Sequence, residues 1–566
     1  MYNTIMGNSS RSLYFLCLLG ILLFLITLPY FLAWRNEGQD FVFSGFLINP
    51  LDGNSYLAKM YQGWEGSWKF NLPFTADPGK GGYLFLYYLF LGHVSRVSGL
   101  PLIVTYHTAR IMGTIVFAVS LWNFFGRIFV NQGHRKLAFG LAIFGSGSGW
   151  IGSIFGLFTS DLWVAEAYPF LASFTNPHFP LGLALLVWLL TPLRVTENHT
   201  HKTYSQILVL LAALVLGIVM PFGVVVVCVV LSGLVAWEGW EVYRYSKSTS
   251  KSSRLVSLGL DWNSDYIRRG FWVLVGGIPI VLYDYWISNT DPVLAKWNVQ
   301  NLTPSPPLWD LILSLIPVLL VAVPGAIKFL TRPSAVQKVL ISWTLLGFVL
   351  LYLPFDLQRR FMLGIFIPLT GLAVIGLIET NSGISGRRGD KKFLAGMTDS
   401  RVPGERQKRI PFGSSTIGII ALMLFSFTTN LLILLGSIQA GNLHDPMLYL
   451  TRDEARAFEW IERNTPENAL ILASPHTGMF IPAHTGRRVF YGHPFETVEA
   501  GLMIEAVEAA LTSSGEQGLS ILSQSDYVFW GPREDAIGEF DFTSLSLVFR
   551  SGDVRIYEVL KNKVQD

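Results

Sequence analysis

Apolar stretches of roughly 17 to 25 residues recur along the chain, the length at which a helix rising ~1.5 Å per residue crosses a hydrocarbon layer of ~30 Å. Lipid offers no partner to backbone N–H and C=O groups, so such stretches must satisfy their own and are read as helices. The pattern predicts about eleven spans, at 13–33, 106–126, 137–158, 178–193, 206–220, 222–242, 270–287, 308–327, 339–353, 361–378 and 414–436. Charge is correspondingly sparse: of 566 residues, 51% are hydrophobic and 14% charged, outside ordinary soluble composition. The 17 Trp and 21 Tyr suit helix ends at headgroup depth. Both cysteines, Cys17 and Cys228, fall in apolar segments, which indicates no disulfide framework.

Orientation follows from where the cations sit. With the N-terminus inside, the connections around Arg127, Arg135 and Lys136, Arg194 and Lys202, Arg244 to Arg269, Lys328 to Lys338 and Arg387 to Arg409 are all cytoplasmic. The opposite loops, 34–105, 159–177, 288–307 and 354–360, are poor in Lys and Arg and carry Asp40, Asp52, Asp77, Asp161, Glu166 and Asp291. Gly82 to Gly92 is strongly apolar but too short to span, and reads as an outer interfacial or re-entrant helix. Met220-Pro221-Phe222 separates the fifth and sixth spans, and 381–412, rich in Gly, Ser, Arg and Lys, reads as a loop on an anionic membrane face.

The long loop 34–105 holds the first functional candidates, because loops of this length between spans carry function. From Asn49 to Trp68, Leu57, Met60, Tyr61, Trp64 and Trp68 recur at helical spacing, with Asp52, Ser55, Lys59 and Gln62 opposite, predicting an amphipathic interfacial helix. Pro50 precedes Asp52, which is placed like an N-cap. The plain reading is a capping aspartate. The functional reading draws on Asp161, Glu166 and Asn176-Pro-His-Phe179 in the next outer loop, and on Arg359 and Arg360 at a later outer helix end. Groups of both signs in outer loops describe a polar cavity.

This arrangement resembles the GT-C superfamily of polytopic glycosyltransferases, in the branch of protein O-mannosyltransferases and aminoarabinose lipid A transferases. The resemblance rests on one N-terminal span, then Asp52-Gly-Asn-Ser-Tyr56 in an interfacial helix, a second apolar interfacial segment, Tyr106-His-Thr-Ala-Arg110 opening a span, Gln358-Arg-Arg360, and an outer soluble C-terminal domain. Where the family often has Asp-Glu, this chain has Asp52-Gly53, and Pro78-Gly-Lys-Gly-Gly82 stands in place of a Lys-Pro-Pro stretch. The resemblance implies hexosyl or pentosyl transfer from a polyprenyl-phosphate donor to a glycan, lipid or protein acceptor at the outer face of a prokaryotic cytoplasmic membrane. It makes Asp52 the base and Tyr56, Lys59, Glu166, Asn176, His178, Arg359 and Arg360 the substrate-binding candidates. No cofactor is assigned and no nucleic-acid partner is expected; a divalent metal is left open, with no ligand set in the sequence to support it. The alternatives are a transporter or flippase of a lipid-linked glycan, and a non-catalytic envelope assembly protein.

The expected organisation is a GT-C-like transmembrane domain over 1–440 and a soluble extracytoplasmic α/β domain over 441–566. Thr451-Arg-Asp-Glu454 is a capping-box pattern, Leu470 to Ala473 and Tyr527 to Trp530 suit buried strands, and 495–512 reads as a helix. His476, His484 and His493 lie in a segment dense in Gly and Arg; their spacings fit no strong ligand motif, which favours loop packing or substrate contact over metal binding.

Overall fold

The computed structural model describes residues 2–192, 201–249, 264–331, 337–354, 356–384 and 414–560. Much of the predicted basic connections at 194–202, 244–269 and 328–338, and nearly all of 381–412, lie outside these residues.

The chain is a multi-pass helical membrane protein. Six helices are long and apolar enough to cross a bilayer: Leu13–Arg35, Leu102–Ile128, Gln132–Ile154, Pro221–Arg244, Asp265–Thr290 and Gly418–Asn442. A seventh candidate is broken, because Leu308–Leu315 and Val318–Ile327 meet at 91°; Pro317 at the joint has no N–H to continue a helical ladder. Four shorter apolar helices, His178–Leu190, Ser205–Val219, Lys338–Leu351 and Phe366–Ile378, occupy the remaining predicted positions. The break at Pro221 forms as expected, with one helix ending at Val219 and the next beginning at Pro221, where a missing N–H costs nothing.

The segment 159–177, expected as an outer loop, folds inward. It forms two short 3₁₀ turns and the helix Pro169–Phe174, and Phe170, Leu171, Ala172 and Phe174 are fully buried. Their apolar area is removed from water only if the loop packs between helices.

Beyond the last long helix the chain forms a five-stranded sheet in the order β4 (Arg488–Val489), β3 (Leu470–Leu472), β5 (Tyr527–Trp530), β7 (Val554–Val559), β6 (Leu545–Ser551). β4, β3 and β5 run parallel, and β7 and β6 antiparallel to their neighbours. Buried apolar side chains line the two faces, Ile471 and Phe529 packing with the helix Arg452–Asn464, Leu472 and Val528 with the helix Ala500–Leu511. The capping box starts the first of these helices: Thr451 Oγ1 accepts from Glu454 N at 3.1 Å, and Glu454 Oε2 accepts from Thr451 N at 2.7 Å. A separate antiparallel pair, β1 (Phe41–Phe43) with β2 (Tyr449–Thr451), ties the first long loop to this sheet module.

Candidate active site

The interfacial helix spans Pro50–Glu65 and stops at Gly66, whose φ of 113° is the left-handed conformation glycine adopts without strain. Trp68 therefore lies beyond it. The N-cap is Asn49, not Asp52 as the sequence suggested. Pro50 occupies the first helical position, so Asp52 stands within the first turn, where the unpaired backbone N–H groups of a helix start favour negative charge. Asn49 turns back onto it: its Oδ1 accepts from Asp52 N at 3.5 Å, and its Nδ2 donates to Asp52 Oδ2.

The polar side of this helix is covered rather than solvated, because the sheet module lies over it. His493 Nε2 approaches Asp52 Oδ1 at 3.1 Å. Lys59, fully buried, donates to Ser55 Oγ at 2.5 Å and to both Glu496 oxygens at 2.8 and 2.9 Å. Its ammonium also lies 4.4 Å from the Phe85 ring centroid. With its donors committed to protein partners, Lys59 holds Glu496 and does not face open space. Further along, Arg487 lies 3.7 Å from Glu65, and Tyr61 donates to Glu462 at 2.7 Å.

An aromatic floor carries three more candidates. Tyr56 stacks on Tyr88 with centroids 4.2 Å apart and planes at 9°, and the Tyr88 hydroxyl lies 2.6 Å from His178 Nδ1. Tyr106 donates to Asn176 Oδ1 at 2.6 Å. The helices Pro50–Glu65 and Leu86–Ser98 that present Tyr56 and Tyr88 cross at Gly63 and Gly92. A Cβ on either glycine would run into the carbonyl of the other helix, Leu89 or Met60.

Near Asp52, the arginine pair is held by its backbone. Arg359 N donates to Thr303 O at 3.0 Å, and Gly364 N donates to Glu166 O at 2.9 Å, fastening the turn Gln358–Met362 between two loops. The Arg359 guanidinium lies over Trp163 at 4.5 Å. Nε of Arg359, Nε of Arg360 and Oε1 of Glu166 are buried with no hydrogen-bond partner among the described residues. Buried polar atoms are almost always paired, so three orphans in one region are polar groups free to meet water or a polar ligand.

The electrostatics link the two sides. Burial pushes the Asp52 carboxyl up, but the His493 hydrogen bond, with the neighbouring His493, Arg360 and Lys59, outweighs it and holds Asp52 below its ordinary value. Burial also raises Glu496, and Lys59 with His493 pulls it below its ordinary value. Asp52 nonetheless keeps 37% of its side chain open. It is a fixed, ionised and reachable carboxylate.

The structure thus brings Asp52, Tyr56, His178, Asn176, Glu166, Arg359 and Arg360 around one region, with Lys59 sealed beneath it. Two polar residues singled out near this set serve packing instead. Arg110 Nη1 donates to the carbonyls of Ile26, Ser173 and Phe174, and Asp161 accepts from Gly149 N at 2.8 Å and Thr159 Oγ1 at 2.6 Å. The sequence reading did not assign Glu496 or Asn49 and left His493 between packing and substrate contact. The density of His, Gly and Glu in Tyr491-Gly-His-Pro-Phe-Glu-Thr497 was the available signal. His476, His484 and His493 lie on different partners, Met447, Phe458 and Asp52. Among the described residues no group of three or more His, Cys, Asp or Glu is placed to hold a metal ion.

No protein-family model matches the sequence, and no curated protein matches it either. Solved structures do. The Archaeoglobus fulgidus oligosaccharyltransferase, tethered to an acceptor peptide containing the NVT sequon, superposes with a TM-score of 0.52 at 12% identity, over 92% of this chain and 69% of that one. The archaeal oligosaccharyltransferase AglB from the same organism, in complex with an inhibitory peptide and a dolichol-phosphate, gives 0.51 at 11% identity, over 91% and 69%. ArnT from Cupriavidus metallidurans, bound to undecaprenyl phosphate, gives 0.46 at 11% identity, over 95% and 98%. The chain therefore shares the fold of the archaeal oligosaccharyltransferase.

Proposed function

We propose that this protein is a glycosyltransferase that moves a sugar from a polyprenyl-phosphate-linked donor to an acceptor at the outer face of a prokaryotic cytoplasmic membrane. The observation that carries the reading is the approach, in one region, of an ionised, partly open Asp52 to Arg359 and Arg360, whose Nε atoms are buried without a partner. The archaeal oligosaccharyltransferase, of the same fold, has been solved with an inhibitory peptide and a dolichol-phosphate, which supports a lipid donor and a separate acceptor.

The chemistry follows from charge. The acceptor's hydroxyl or amine attacks the anomeric carbon, its proton passes to Asp52, and the bond from that carbon to the phosphate oxygen breaks, releasing the lipid phosphate. A phosphate leaves without protonation, so fixed positive charge where negative charge develops does the work of an acid. Guanidinium forks match phosphate oxygens and stay charged when partly desolvated. An aspartate with a depressed pKa is a weak base toward a ground-state alcohol, but the proton becomes acidic as the new bond forms. A single displacement inverts the anomeric centre. Tyr56, Asn176, His178 and Glu166 line the region as substrate contacts, and Lys59 is assigned the support of Glu496. We further propose eleven crossings, with the N-terminus cytoplasmic and the module after 441 on the site's side of the membrane.

The test is turnover of short-chain polyprenyl-phosphate sugars by the detergent-purified protein. Asp52→Asn is expected to lower transfer by roughly 10²- to 10⁴-fold while leaving donor binding and the fold in place. Arg360→Ala is expected to weaken donor binding. Full transfer by Asp52→Asn would remove Asp52 from the mechanism.

A further inference from the structure

The segment Tyr491–Thr497 lies between two outer elements. On one side His493 and Glu496 meet Asp52 and Lys59, which are seven residues apart and so share a face of the interfacial helix. On the other, Trp297 Nε1 donates to Phe495 O at 2.9 Å, and Glu499 N donates to Gln300 Oε1 at 2.9 Å. The imidazole is only 4% exposed, packed beside Phe74. Its Nδ1 accepts from the backbone N–H of Phe495 at 3.1 Å and of Glu496 at 3.2 Å. A nitrogen that accepts carries no proton, so the neutral ring has its hydrogen on Nε2, aimed at Asp52 Oδ1.

We propose that His493 is a positioning residue for Asp52, and that the C-terminal module thereby completes the active site. This rests on the reading of Asp52 as the base. His493, 441 residues along the chain from Asp52, on Oδ1 and Asn49 on Oδ2 hold both oxygens of the carboxylate. A histidine serving packing alone has no need of a fixed tautomer; here the backbone of its own loop fixes one. Around Asp52 stand the charged or titratable groups Lys59, Glu496, Tyr56, Tyr88, Tyr106, His178, Arg359 and Arg360, none of which hydrogen-bonds to its carboxylate. The same bond opposes the effect of burial and keeps the carboxylate ionised.

The experiment compares full-length wild type with His493→Ala, His493→Gln and Asp52→Asn. It reads kcat and KM against pH and, independently of turnover, titrates the Asp52 carboxylate by infrared difference against Asp52→Asn. Glutamine retains a donor where alanine has none. For His493→Ala, kcat is expected to fall roughly 10²-fold, as for a misplaced catalytic group, with KM for the donor unchanged. The acid limb and the carboxylate titration should both move to higher pH, and His493→Gln should recover most of the rate. Equal losses in the two variants with the acid limb in place would reduce His493 to packing, and unchanged rates would overturn its role outright. Should wild type turn over no donor, the glycosyltransferase reading falls, and the titration still decides the contact: an upward shift in His493→Ala supports it and no shift refutes it.

Discussion

At the scale of single residues, two carboxylates of the interfacial helix respond to pH in opposite senses. Asp52 is held below its ordinary value, so its contribution to stability is present above that value and is lost as pH falls through the depressed one. Activity that needs ionised Asp52 should persist down to at least pH 3.8, the ordinary value, unless the fold fails first. Glu65 is raised to about 7, first by burial and then by Glu467 and Glu462, against the pull of Arg487. A raised carboxyl binds its proton more tightly folded than unfolded. Its contribution is therefore present below the ordinary value of 4.5 and is lost as pH rises through about 7. Melting temperature should fall between about pH 5 and about pH 8, and Glu65→Gln should remove part of that fall, with its gain over wild type largest at the alkaline end. A Glu65→Gln variant no more stable than wild type at the alkaline end would show that Glu65 titrates in its ordinary range.

At the scale of elements, placement of the site depends on the crossing of Pro50–Glu65 with Leu86–Ser98. Gly92→Ala puts a methyl group against the Met60 carbonyl, backbone that cannot swing away. It is expected to cost about 1–3 kcal/mol in unfolding, and to lower transfer as Tyr88 and Asp52 shift apart. A neutral Gly92→Ala would mean that the helices separate freely. Elements of this kind were legible where local chemistry decides them. The long apolar runs, the break at Pro221, the capping box at Thr451 and the strands at Leu470 and Tyr527 are written in neighbouring residues. The cap at Asn49 was missed because Asp52, three residues on, offers the same chemistry, and only φ at Asn49 distinguishes them. The 91° bend at Pro317 was missed because apolar residues run through it. The cover over Lys59 was illegible for another reason: Glu496 is 437 residues away, and no local pattern announces such a partner. The buried staples Arg110 and Asp161 look like site residues in sequence, since only the carbonyls and N–H groups around them reveal their use.

At the scale of the whole molecule, the first long loop and the sheet module form one body. β1 pairs with β2, Arg452 N donates to Asp40 O at 2.9 Å, and the Tyr449 hydroxyl donates to Ala33 O at 2.8 Å. The proposed orientation puts this body outside. In a background with Cys17 and Cys228 changed to serine, Leu502→Cys, a position 67% exposed, should label with an impermeant maleimide added to intact cells. Arg127→Cys should label only after lysis. The reverse pattern would invert the topology and place the site on the cytoplasmic face.

The central claim is that Asp52 and the arginine pair form one glycosyl-transfer site, and donor turnover tests it most directly. Wild type, Asp52→Asn, Arg359→Ala and Arg360→Ala would be assayed for binding and turnover of a panel of polyprenyl-phosphate sugars. The account predicts wild-type transfer or donor hydrolysis that requires Asp52, with donor binding that requires an arginine. Wild-type protein that neither binds nor turns over any donor in the panel, or transfer indifferent to all three substitutions, would contradict it.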